Sequence, residues 1–215
     1  MRELEHHERF ELEVLEHLAQ TGFLRPLVFG GGTMLRLCHE LPRYSVDLDF
    51  WFRRKVNMPD FYNRLLSELN KTYRITDSKN KHFTLLYEFK GDSPRRLKIE
   101  IRKEILKTGF EDRIAYSRHG GKQVLVPALS LAEMARRKIK AACSRGEIRD
   151  FFDLEFLLRQ NIPVSFTPED KRILRERAIG FKKVDFGTGL GSLLPHDLRE
   201  YYKKTGFAYL LTRLA

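Results

Sequence analysis

Asp47 and Asp49 stand two residues apart in the run SVDLDFWF, among apolar side chains. Side chains two apart on a strand share a face, which sets these carboxylates about 7 Å apart along the chain. Like charges at that separation repel, and apolar neighbours strengthen the repulsion. A cation between them removes the conflict. Oxygen-only ligands suit a hard divalent ion, Mg²⁺ or Mn²⁺, and Mg²⁺ commonly joins a few carboxylates to substrate phosphates. A third acid lies in LKIEI, where Leu97, Ile99 and Ile101 alternate with Lys98 and Glu100. If the two strands are neighbours in one sheet, Glu100 faces the aspartate pair and completes a three-carboxylate metal site.

The glycines upstream offer the matching half of a phosphate chemistry. PLVF (26–29) runs into Gly30, Gly31 and Gly32, and TMLRLCHEL follows with Met34, Leu37, Cys38 and Leu41 on one helical face. A strand, a glycine turn and a helix beginning at Thr33 leave backbone N–H groups and a helix N-terminus open to an anion. A glycine cluster or a D-x-D alone is common in ordinary turns and strand faces. Their succession between Gly32 and Asp47 is the stronger signal.

Several further elements must hold these groups. Apolar spacing predicts a helix over 3–20, ending at Thr21-Gly22, with His6 and His7 on it and expected in solvent. Another helix is expected from 59 to 70, strands over 81–90, 95–103 and 123–127, and a GDSP turn at 91–94. Pro42 marks the end of the helix after the glycines. From Ser130 onward the pattern is helical, opened by Ser130 and Glu133 in capping-box spacing. The fold class is α/β (α+β), a mixed sheet with flanking helices over 1–128, followed by a helical part over 129–215.

Forty Lys and Arg against 29 Asp and Glu leave a charge of +11. That sign points to a polyanionic partner, and the clusters RRK (53–55), RRLK (95–98), RRKIK (136–140) and KRILRER (171–177) favour an RNA backbone over a small alcohol. Cys38 and Cys143 have no CxxC spacing and read as core fillers, and no run approaches the about 18 apolar residues of a membrane span. A cytoplasmic setting is expected.

Gly-Gly-Thr, a short helix and then PRYSVDLDF resemble the AbiEii/AbiGii abortive-infection nucleotidyltransferase toxins, within the DNA polymerase β-like superfamily. Farther on, RRKIKAACSRGEIRDFFDL is similar to that family's helix lysine followed by R-D-x-x-D, with Lys138 eleven residues before Arg149, then Asp150 and Asp153. The motifs cover about 27–160 in the family's order. The resemblance implies a polymerase-β-like fold and attack of an acceptor on the α-phosphate of an NTP, with release of pyrophosphate. It implies Asp47 and Asp49 as metal ligands. Glu100 would be the third acid, ligand of a second metal or base for the acceptor's proton. Gly31, Gly32 and Thr33 would hold the β- and γ-phosphates, and Arg43 and Ser45 would support the strand or the phosphates.

By the same resemblance Lys138 contacts the triphosphate, with Lys140 and Arg137 as alternatives, and Asp150 orients it or contacts the nucleotide. RDFFDL also suits a cap and ion pair locking the two halves together. The acceptor implied is RNA, tRNA in the toxin relatives, with a cognate antitoxin as partner. Two other readings stay open: a protein-modifying nucleotidyl transfer, and a catalytically silent nucleotide- or RNA-binding module. The silent module has no need of a self-repelling acidic pair.

Overall fold

Alternation in DLDFWF buries Leu48 and Phe50 on one side of a strand and leaves Asp47 and Asp49 half-exposed on the other. In the structure, a computed structural model that describes residues 1–215, that strand is central to a seven-stranded mixed sheet. The chain runs α1 (Arg2–Gln20), β1 (Leu27–Gly30), α2 (Gly31–His39), β2 (Asp47–Phe52), α3 (Met58–Thr72), β3 (Arg74–Asn80), β4 (Thr84–Lys90), β5 (Leu97–Ile105), β6 (Phe110–Tyr116) and β7 (Gln123–Leu129). The helical part follows as α4 (Leu131–Ser144), α5 (Ile148–Arg159), α6 (Pro168–Gly180), α7 (His196–Thr205) and α8 (Ala208–Arg213). Two units result: Met1–Glu40 with Tyr44–Leu129, and Leu41–Arg43 with Ser130–Ala215.

In the first unit the strand order is β3-β4-β5-β2-β1-β7-β6. β2 runs antiparallel to β1 and parallel to β5, while β1 runs parallel to β7. Two of these strands escape the sequence pattern, β3 (RITDSKN) and β6 (FEDRIAY). They are the two sheet edges, and most of their side chains are exposed or half-exposed. Edge strands carry charge that discourages pairing with other chains, so they lack the apolar alternation that reveals a strand. The helix after the glycines also starts earlier than expected, at Gly31 instead of Thr33, and closes at Glu40 in the left-handed conformation (φ 59°).

α1 corrects another expectation. His7 is buried, not solvated, along with Glu8 and Glu11. His7 lies on the stripe of Leu4, Glu11, Leu15 and Leu18, three and four residues apart, so the helix carries it inward. Its Nε2–H donates to the Val46 carbonyl at 3.1 Å, which leaves Nδ1 to accept from the Ser93 hydroxyl at 3.2 Å. Glu11 lies 3.7 Å from Nε2. Burial lowers the His7 pKa, whereas burial, Glu8 and Asp47 raise that of Glu11 well above 4.5. Both shifts favour the uncharged forms, a neutral histidine beside a protonated acid. Glu8 is different: it is held by Arg36 Nε at 2.7 Å and by the Ser117 hydroxyl.

A consequence can be measured. A carboxyl with a raised folded pKa binds its proton more tightly in the native state than in the unfolded chain. It therefore costs stability as pH rises above its ordinary value, about 1.4 kcal/mol for every tenfold difference between the two proton affinities. Glu11→Gln keeps the shape of the protonated acid without the titration. Urea midpoints are expected to fall between pH 5 and pH 8 in the wild type and to fall less in the variant, which should be the more stable protein at pH 8. Parallel curves would show that Glu11 is ionised in the fold.

The second unit has its own core. Phe151, Phe181, Phe186 and Phe207 meet edge-on and tilted, with ring centroids 5.0–6.2 Å apart, and Phe152 and Tyr202 extend the cluster. Buried Glu155 accepts from the Tyr202 hydroxyl and the Leu210 N–H, each at 3.0 Å. At α4 the expected capping box is only half made. Ser130 accepts from the Glu133 N–H at 3.3 Å, but the Glu133 carboxylate serves Arg136 and Arg137 instead. The reciprocal box is at α6, between Thr167 and Asp170.

Candidate active site

Three acids meet in the first unit because three strands are paired in one register. Asp49 lies opposite Glu100 across the parallel β2–β5 pair and opposite Gly30 across the antiparallel β1–β2 pair. Asp47, two residues earlier on the same face, lies opposite Lys98. The glycine turn is shaped to this arrangement. A Cβ at Gly31, whose φ is +78°, would lie 2.2 Å from Asp49 Oδ2, and one at Gly30 would lie 2.4 Å from the Trp51 ring. Gly30 is the cap residue of α2 and offers no side-chain bond to the first-turn N–H groups, which an anion could use. Gly32 and Thr33 are buried in that turn, and the Thr33 hydroxyl donates to the Asp47 carbonyl at 2.6 Å, fixing α2 to β2. Ser45 is half-buried two residues before Asp47. Trp51 is buried, with the Arg102 guanidinium 5.4 Å from its ring centroid.

The cation among these acids is a lysine. Lys98 Nζ lies 3.1 Å from Asp47 Oδ2 and 3.9 Å from Glu100 Oε2, and Arg102 lies 3.7 Å from Glu100. Partial burial works against the Lys98 charge, yet Asp47, Glu100 and Asp49 together raise its pKa above 10.5. Strand alternation places Lys98 on the face of Glu100, but alternation alone gives it no task.

The donor set fits a hard divalent ion in kind: carboxylates only, on adjacent strands, beside a glycine whose missing side chain makes room for the Asp49 carboxylate. No three acidic, histidine or cysteine side chains stand in ready-made coordination.

In the second unit a separate charge network surrounds Lys138. The helix α5 presents Asp150 and Asp153 at i and i+3 on one face, both fully buried. Lys138 on α4 lies 3.0 Å from Asp150 and 2.7 Å from Asp153. Arg43 grips Asp153 with two bonds of 2.6 Å, and Arg145 grips Asp150 with bonds of 2.7 and 2.8 Å. Burial pushes both aspartates up, but the cations outweigh it and hold them below 3.8. Of the three candidate cations on α4, only Lys138 is buried among acids; Lys140 is exposed and Arg137 pairs with Glu133 at 2.6 Å. Arg149 pairs with Glu147 at 2.7 Å and does not cap α5. Sequence pattern gives Arg145 no role, since an arginine in a charged loop has no distinguishing neighbour.

Residues 13–199 match the family model described as the nucleotidyl transferase AbiEii toxin of type IV toxin–antitoxin systems. Among solved structures, JHP933 from Helicobacter pylori is 20% identical with a TM-score of 0.57, over 100% of this chain and 94% of its own. The nucleotidyltransferase toxin MenT4 from Mycobacterium tuberculosis is 17% identical with a TM-score of 0.59, over 97% of this chain and 86% of its own. An antigenic nucleotidyltransferase-like protein from Paracoccidioides brasiliensis is 13% identical with a TM-score of 0.51, over 91% and 96%. At these identities the likeness is one of fold. No curated protein matches the sequence.

Proposed function

The chain belongs to the AbiEii nucleotidyltransferase toxin family and is a nucleotidyltransferase, and from that premise we propose that it transfers NMP from an NTP to RNA. Mg²⁺ or Mn²⁺ is held by Asp47, Asp49 and Glu100 in this reading. The single observation that supports it best is the register that sets Asp49 between Gly30 and Glu100 with Asp47 on the same face. The family generally uses an NTP and a divalent metal, and its type IV toxin–antitoxin character implies an antitoxin partner. No helix is long and apolar enough to cross a membrane.

The acceptor hydroxyl oxygen bonds to the α-phosphorus, the bond to the bridging oxygen breaks, and pyrophosphate leaves with the electron pair. A bound divalent ion supplies charge stabilisation for that displacement. The uncapped turn at Gly31, Gly32 and Thr33 receives phosphate oxygens through backbone N–H groups, and Arg43 and Ser45 steady the segment that leads into β2. Glu100 takes the hydroxyl proton or completes the metal's ligands. In the second unit Asp150 and Asp153 hold the Lys138 ammonium, and in this reading Lys138 is the cation that contacts the triphosphate. The charge of +11 supports RNA as acceptor, and tRNA is the acceptor that the family resemblance implies.

The test is to incubate the protein with Mg²⁺, total cellular RNA and each α-³²P-NTP in turn, then resolve the products on denaturing gels. Label is expected in tRNA-sized bands from one NTP. Label in protein bands instead would move the acceptor to a protein side chain, and label in neither would leave a silent nucleotide- or RNA-binding module.

A further inference from the structure

Lys98 sits where a divalent ion would compete with it. Its ammonium lies 3.1 Å from Asp47 Oδ2 and 3.9 Å from Glu100 Oε2, two of the three carboxylates that the proposed function gives to the metal. The placement is built in. Lys98 is opposite Asp47 in the strand register and two residues before Glu100, so the pleat forces it onto the acid face. Divalent ions bind carboxylate oxygen at about 2.1 Å, which brings an ammonium on the same oxygen into strong repulsion with the metal. A lysine head on a four-carbon stem can move away, and the incoming triphosphate is the anion that would take it.

We infer that Lys98 is an internal counter-ion that holds the acid site closed to free metal and shifts to a nucleotide phosphate when the metal arrives with an NTP. The inference rests on the acid-site reading above and adds an order to it: metal and nucleotide bind cooperatively, each raising the other's affinity by the same factor. The site then takes the metal–nucleoside triphosphate complex in preference to the bare ion.

Mn²⁺ binding measured by the electron paramagnetic resonance of the free ion tests this without any turnover. In the absence of nucleotide, Lys98→Met is expected to bind Mn²⁺ at least tenfold more tightly than the wild type, and Lys98→Arg to stay near wild type. With a non-hydrolysable α,β-methylene analogue of each NTP, measured calorimetrically at saturating Mn²⁺ and again in a chelator, the gain in analogue affinity from metal should be several-fold smaller in Lys98→Met. Mn²⁺ affinity in Lys98→Met equal to or below wild type, in a variant that melts at the wild-type temperature, overturns the inference while leaving the acid site standing. Asp49→Asn separates the two claims. Undiminished Mn²⁺ binding by that variant would remove the acid site itself, and the role of Lys98 with it.

Discussion

Asp47→Asn and Asp49→Asn are each expected to reduce nucleotidyl transfer at least about a thousandfold, which corresponds to about 4 kcal/mol of transition-state stabilisation, within the several kcal/mol a bound metal supplies. Both variants are expected to melt at or above the wild-type temperature. The two results belong together. Asp47 and Asp49 are half-exposed, and the charged partner shown for Asp47, Lys98, is about one-third exposed, so the ion pair contributes little to folding. Removing one of two neighbouring like charges relieves repulsion, and the amide occupies the same volume beside Gly31 as the carboxylate did. The labelled-NTP assay and a thermal melt on the same preparations check both halves. Wild-type turnover by either variant would show that the carboxylates do not carry the chemistry. A fall of many degrees in melting temperature would make them structural instead.

That pairing of lost activity with kept stability follows from the most legible part of the chain. PLVF, the glycines, one amphipathic helix and SVDLDFWF specify strand, turn, helix and strand by local pattern, and each of those elements is present. What local pattern cannot carry is partnership. That β5 lies beside β2, with Glu100 level with Asp49, depends on sheet order, and alternation in LKIEI only makes it permissible. Lys98 illustrates the limit: its face is readable from the sequence, its distance to Asp47 is not. His7 departs from expectation for a related reason. Its polarity and charged neighbours suggest solvent, while its spacing with Leu4, Glu11 and Leu15 places it on the inward stripe, and spacing decides because a helix turns as a rigid unit. The edge strands β3 and β6 lack a pattern because neither face of an edge must be apolar. Arg43 is the clearest long-range case, since its partner Asp153 is 110 residues away.

That partnership carries the largest stability effect. Asp153→Asn is expected to destabilise the fold by about 3–5 kcal/mol at pH 7, the usual cost of removing one member of a buried ion pair. The carboxylate is fully buried and is shared by Arg43, 3% exposed, and Lys138, 8% exposed. An amide supplies one acceptor oxygen and no charge, and neither cation has water to replace what it loses. Arg145→Ala is the contrast. That guanidinium is half-exposed, although it grips buried Asp150 at similar distances. Water can enter the space it leaves, and Asp150 keeps Lys138 at 3.0 Å, so its loss should cost less than that of Asp153→Asn. Burial, not bond length, separates the two.

Acid should act on the same network. Arg43 and Lys138 hold Asp153 below 3.8 in the fold, against the opposing push of burial. A depressed folded pKa means that the unfolded chain takes up the proton first, so this stabilisation is complete above the ordinary carboxylate range and is lost as pH falls through the folded value. Urea titrations at pH 7 and pH 3 should therefore show the gap between wild type and Asp153→Asn narrowing in acid. A difference below about 1 kcal/mol at pH 7 would mean that Arg43 and Lys138 find other partners or water when the carboxylate is gone, and that the network is a surface one in its energetics. A full-sized gap that persists unchanged at pH 3 would mean that Asp153 contributes through packing and hydrogen bonding and not through its charge.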